Sequence, residues 1–167
     1  PVLHAQAPVS YFDGGFAGWQ TFALRGSSGA SGTFTQHASG GNPGACIEVT
    51  MTTDSGPGNN VSHCVINSAF EWNPAVDGAI SSIDYSFDWF DTSPGGYSGC
   101  AIIMYQDGSD FWGDYSYITG AGWTNKSGSG ITTPFFNTNG AFPNFSTCGG
   151  TIRFGIAIAN SLSGGFP

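Results

Sequence analysis

Ser82-Ile83-Asp84-Tyr85-Ser86-Phe87-Asp88-Trp89-Phe90-Asp91 is the most strongly patterned stretch of the chain. Ile83, Tyr85, Phe87 and Trp89 fall on one side, and Asp84, Ser86 and Asp88 on the other. Alternation over this length marks a β-strand with one buried face, because successive side chains leave a pleated backbone on opposite sides. Burying the four apolar groups is worth roughly 6–12 kcal/mol of transfer free energy before conformational entropy is set against it. The pattern predicts a central strand around which the others pair.

Working outward, residues 100–106 (CAIIMYQ) read as a strand, and Asp107-Gly108 as the two-residue turn that returns it into residues 111–119. Residues 151–159 form another strand, with Ile152, Phe154, Ile156 and Ile158 on one side and Arg153, Gly155 and Ala157 on the other. Shorter strands are expected over residues 11–24 around a Gly-rich corner, at 33–37, 46–52 and 61–66, and within 131–136. The stretch 120–150 is otherwise too long to be structureless. No helical period is evident. About eight short strands at this spacing predict an all-β fold, an antiparallel β-sandwich of the jelly-roll kind with little or no helix.

The chain has 167 residues, which suits one domain. Residues 1–10 form an extension, either a signal remnant or a strand-exchanging arm, and 11–167 the single domain. Only 8% of residues are charged, and Lys126, Arg25 and Arg153 are the sole Lys and Arg, against 11 acidic residues and a net charge of −8. So few cations cannot neutralise phosphates, which argues against nucleic acid and anionic membrane surfaces as partners. No apolar run reaches membrane-spanning length. Gly-rich (27 residues), 15% aromatic and charge-poor is the composition of an extracellular or cell-surface domain.

Cys46, Cys64, Cys100 and Cys148 are even in number and share no CxxC spacing, which predicts two disulfides. Cys46 and Cys64 are symmetric about Ser55. If their strands form a hairpin the two lie opposed, which pairs Cys46 with Cys64 and leaves Cys100 with Cys148; the other two connectivities stay open. Asn60, Asn125 and Asn144 head Asn-x-Ser sequons, as a secreted glycoprotein would carry.

Phe12-Asp13-Gly14-Gly15-Phe16-Ala17-Gly18-Trp19, then Gly40-Gly41-Asn42-Pro43-Gly44, then Ser86-Phe87-Asp88, resemble the jelly-roll domains of the laminin-B (domain IV) type found in bacterial-type secreted and surface proteins, which are related in architecture to carbohydrate-binding modules. The resemblance spans residues 11–160. It implies a non-catalytic extracellular domain with one structural Ca²⁺ held by an early acidic residue, here Asp13, and by the final strand. This chain departs from the pattern in its four cysteines and in ending at Pro167, before the usual closing strand.

Candidate chemistry follows from residue types. Glu48 and Glu71 do not form the facing pair a glycosidase needs, and Asp84 and Asp88, four residues apart on a strand, lie about 13 Å apart. His4, His37 and His63 lack metal-ligand spacing. An enzyme is not expected. Asp107, Asp110 and Asp114 supply hard oxygens for Ca²⁺ in one tight loop. Trp112, Tyr115, Tyr117 and Trp123 offer flat rings that stack on sugars, with core packing as the competing role. The expected function is glycan binding or adhesion in a surface or matrix protein. The alternative is a filament subunit, in which residues 1–10 complete the sheet of a neighbouring copy left short of a strand.

Overall fold

The computed structural model describes residues 18–27, 29–52, 60–92, 97–117, 122–130, 135, 137 and 139–161, with the backbone alone at Tyr97 and Ser161. Nine strands and one helical turn follow in order: β1 (Trp19–Gly26), β2 (Ser31–Gly41), β3 (Gly44–Thr52), β4 (Asn60–Trp72), α1 (Pro74–Asp77), β5 (Tyr85–Trp89), β6 (Tyr97–Gln106), β7 (Ser109–Tyr117), β8 (Thr124–Gly128) and β9 (Ile152–Ser161). The all-β expectation is met: the chain is mostly antiparallel strand with almost no helix. The helical turn is capped by Asn73, whose side chain accepts from Ala75 N.

Five strands form one sheet in the order β1-β4-β9-β6-β7, while β2-β3 and β5-β8 are two-stranded ribbons. The centre of the large sheet is therefore β9, and the stretch read first from the sequence sits in a ribbon. Its alternation is right all the same. Ile83, Tyr85 and Phe87 turn inward and pack on Ile102, Met104, Phe111, Phe135 and Ile152, and Trp89 is buried. Centrality failed because β9 is apolar on one side and small on the other, so that it can be covered on both faces, whereas Asp84, Ser86 and Asp88 require water.

Both ribbons cover the same face of the sheet. Register places His63 opposite Ile158, Val65 opposite Ile156, and Ile156 opposite Ile102, so these five share the face on which Tyr85 and Phe87 pack. The β2 strand lies over His63: a Cβ built on Gly32 would stand 2.9 Å from its Nδ1. The reverse face carries Cys64, Ala101, Ile103 and Ala157, all at most 1% exposed. Among the described residues, side chains of the sheet itself pack on them. Phe22 of β1 meets Tyr105 of β6 with ring centroids 4.5 Å apart, and Arg25 of β1 pairs with Asp110 of β7. Strands on opposite sides of the sheet thus touch across its reverse face, and small residues at the centre permit the curl. Gly99 is one of them, since a Cβ there would stand 2.3 Å from the Tyr115 hydroxyl.

The Asp107-Gly108 hairpin is as expected, with φ of 50° and 82° at the turn. Five pairs further along the ladder, where it passes from Ile102–Gly113 to Cys100–Ser116, β7 bulges, and Asp114 adopts φ 47°. The strand expected within 131–136 falls mostly outside the described residues. Within 120–150 the described strand is β8, hidden from pattern reading because its inward residue is Lys126.

The two disulfides are corrected: all four cysteines are free thiols. The expected hairpin does not form, because β3 pairs with β2 and puts Cys46 opposite His37. Cys64 lies between Ala23 and Ala157. Cys100, opposite Ile158, faces the ribbons while Cys64 faces the reverse side, and Cys148 is in an exposed turn. Burial pushes the Cys64 thiol up to about 12 and that of Cys100 up to about 11, so both stay protonated near neutrality. Residues 1–10, and with them the strand-exchange expectation, lie outside the described residues.

Candidate functional site

The outward face of the β5-β8 ribbon is built by the same alternation that buries its other side. Along β5 and its flanks it presents Asp84, Ser86, Asp88 and Phe90, and along β8 and its flanks Trp123, Asn125, Ser127 and Ser129. All eight are exposed. Antiparallel register sets Ser86 against Ser127 and Asp88 against Asn125. One step further, Phe90 and Trp123 stand with ring centroids 5.7 Å apart at 40°. Phe90 is 45% and Trp123 39% exposed, although both are large apolar groups. A row of polar pairs thus ends in a bare aromatic pair.

Hydrogen bonds fix the polar groups. Asn125 Nδ2 donates to Ser86 Oγ at 3.0 Å and to Asp88 Oδ1 at 2.7 Å. Asp84 Oδ1 accepts from Gly130 N at 2.7 Å and from Ser129 Oγ at 2.8 Å. The Gly130 amide, then the Ser129 hydroxyl, hold the Asp84 carboxyl below its ordinary value, so it stays ionised in mild acid.

Beneath the ribbon lies a second polar group that holds it in place. The Tyr85 hydroxyl donates to Asp114 Oδ2. Lys126 Nζ stands 3.2 Å from Asp114 Oδ1 and donates to Ser116 Oγ at 2.5 Å. Burial, followed by the bond to Asp114 and its charge, drives the Tyr85 phenol up, so it remains a donor. The bulge in β7 is what aims Asp114 at the ribbon, and Asp tolerates the left-handed backbone this requires. The chain's single lysine is thus spent on anchoring.

The aromatic candidates separate. Trp123 lies on the outward face. Trp112 and Tyr115 pack against Cys64, Ala101, Ile103 and Ala157 on the reverse side of the sheet, which is the core role weighed for them. Tyr117 is 50% exposed and meets Tyr115 edge to face, at 4.9 Å and 79°. Sequence reasoning missed Phe90, though the signal was present: continuing the alternation from Asp84 puts an apolar ring on the solvent side.

The acidic candidates are not brought together. Asp107 sits in the turn against Gly150, Asp110 pairs with Arg25 on the reverse face, and Asp114 faces the ribbon. Asp13 lies outside the described residues. No group of three or more His, Cys, Asp or Glu suited to a metal ion occurs among the described residues. Of the sequons, Asn60 opens β4 and is half-buried, Asn125 is in the ribbon, and Asn144 is exposed with its Oδ1 accepting from Ser146 N and Oγ. A glycan on Asn125 Nδ2 would remove one of the two N–H donors that bond Ser86 and Asp88.

Comparison with protein-family models, with curated proteins and with solved structures finds no match to this chain.

Proposed function

We propose that this chain is a non-catalytic, glycan-binding module of an extracellular or cell-surface protein, its sheets forming a jelly-roll sandwich of the kind the laminin-B-like motifs imply. The contact surface is the outward face of β5-β8. The observation that carries this is the exposed Phe90–Trp123 pair in line with the Asp88–Asn125 and Ser86–Ser127 pairs. Rings stack on the apolar faces of sugars, and fixed amide, carboxylate and hydroxyl groups bond their hydroxyls. An exposed aromatic pair rimmed by polar groups is the kind of patch that marks an interaction site.

A glycan screen on the intact chain and on Trp123→Ala and Phe90→Ala tests this. Each substitution is expected to weaken binding tenfold or more while moving thermal unfolding little, since both side chains are exposed. Trp112→Ala is expected to do the reverse, because Trp112 packs on the reverse face. Binding that survives loss of Trp123 and Phe90 but not of Trp112 would move the surface to the other side of the sheet.

A further inference from the structure

Resting on that reading, the geometry points to the class of glycan and how it lies: an uncharged linear chain, laid lengthwise along β5 and held within its length rather than at an end. The outward face has the length for it. From Asp84 to Phe90 is six residues, or roughly 20 Å of strand. Across that span recognition groups recur in opposed pairs every second residue: Phe90 with Trp123, Asp88 with Asn125, Ser86 with Ser127, and then Asp84 beside Ser129. One sugar ring can use only one such pair. A chain can use all four in succession, its apolar ring face on the aromatics and its hydroxyls on the polar rungs.

The layout of these groups favours contact along a chain over capture of its end. Tyr85, Phe87 and Lys126 point beneath the ribbon, and the bonds that order the outward side chains run within the ribbon and its flanking Gly130. Among the described residues the recognition groups form a strip along the strands, and a strip reads repeated units.

Charge selects against acidic glycans. Asp84 and Asp88 are the formal charges on the strip, and the chain carries −8 overall. Each of its three Lys and Arg residues is engaged elsewhere: Lys126 with Asp114 under the ribbon, Arg25 with Asp110, and Arg153 with Glu71. No Lys or Arg is left to neutralise a uronate or sulfate, and like charges on one strip repel. Neutral hydroxyls, by contrast, can donate to the carboxylates.

The test uses the intact chain with linear neutral glucans, mannan, xylan and galactan, their oligomers from monosaccharide upward, end-capped versions of the oligomers, and polyuronate and sulfated glycans at matched salt. The expected result is affinity for a neutral series that rises tenfold or more from monosaccharide to tetramer, survives capping of the chain ends, and falls in both Trp123→Ala and Ser86→Ala. Monosaccharide binding equal to that of oligomers, loss on capping, or polyuronate binding at least as tight as the neutral chain would each overturn the inference while leaving a glycan module. No binding to any glycan would sink both readings together.

Discussion

The β2-β3 and β5-β8 ribbons lie on one face of the same sheet and obey the same period of two, yet they are anchored by different means. Under β5-β8 sit Ile83, Tyr85 and Phe87 on a fully apolar cluster, Trp89 is buried, and Lys126, Asp114, Tyr85 and Ser116 form a bonded group. Under β2-β3 the inward residues are Gly32, Phe34, Ile47, Val49 and Met51, half-buried at most, and the sheet beneath offers His63. That histidine is 2% exposed. Its Nε2 is 2.9 Å from Thr21 Oγ1, while its Nδ1 has no partner among the described residues. Inward side-chain size and pairing, not strand pattern, decide which ribbon is held firmly, and the firm one carries the candidate surface.

The largest expected loss comes from emptying the layer beneath β5-β8. Phe135 is fully buried, and a Cβ on Gly113 would stand 2.1 Å from its ring. Phe135→Ala is expected to cost about 3–5 kcal/mol in urea unfolding. A cost near that of a surface substitution would show the layer to be loosely packed and the contrast between ribbons unfounded.

Next comes the ion group. Asp114→Asn keeps a residue that accepts φ 47° but leaves the Lys126 ammonium, whose side chain is 10% exposed, without its countercharge. With Asp114 itself 31% exposed, the expected cost is about 2 kcal/mol. Adding Lys126→Met should recover part of it, and a double-mutant cycle measures how much. Strict additivity would mean that the pair does not act as an anchor.

Acid should separate the ribbons. Burial lowers the pKa of His63 below 6.5, so the folded chain holds the ring neutral while the unfolded chain takes up a proton at its ordinary value. The unfolded state therefore binds more protons below about 6.5. Stability from this site is complete above that pH and is lost as pH falls toward the lower folded value. Facing the ring are Thr21 and Leu24 of β1, Ile158 of β9, and Gly32 and Phe34 of β2, none of them titratable. Hydrogen exchange, corrected for intrinsic rates, should show β2-β3 losing protection from pH 7 to pH 5 more than β5-β8 does. His63→Leu should abolish the difference, and equal loss in both ribbons would refute the assignment to His63.

The smallest effect sharpens the same contrast. His37 and Glu48 approach to 2.7 Å on the outside of β2-β3, with side chains 43% and 56% exposed. Glu48→Gln is expected to change stability by under about 0.5 kcal/mol, because water screens what it surrounds. A loss as large as that of Asp114→Asn would mean that burial is not what distinguishes the two pairs.

Much of this was legible beforehand. The alternation at 83–89 and 152–158 gave the right faces, and Asp107-Gly108 the right turn, because both signals are local. The candidate surface is half legible: the sequence points to Trp123 by its ring but not to Phe90, and it does not tell Trp112 and Tyr115 from surface rings, because their burial depends on a curl that brings β1 toward β6 and β7. The disulfides failed on strand pairing, which is equally non-local. Equal spacing about Ser55 presumes that β3 pairs with β4, whereas β3 pairs with β2 and β4 with β1 and β9.

The place of β9 has a consequence in time. It is the last described strand in the chain, and it lies between β4 and β6, hydrogen-bonded to both. Until it arrives, β1-β4 and β6-β7 are two separate hairpin-like halves, each with a long apolar edge and nothing to join it to the other. Assembly of the sheet must then wait on contacts some ninety residues apart in sequence, such as Val65 with Ile156. High contact order of this kind slows folding and lengthens the interval in which unpaired edges are on offer. The chain emerging during synthesis is thus most vulnerable just before β9 is made.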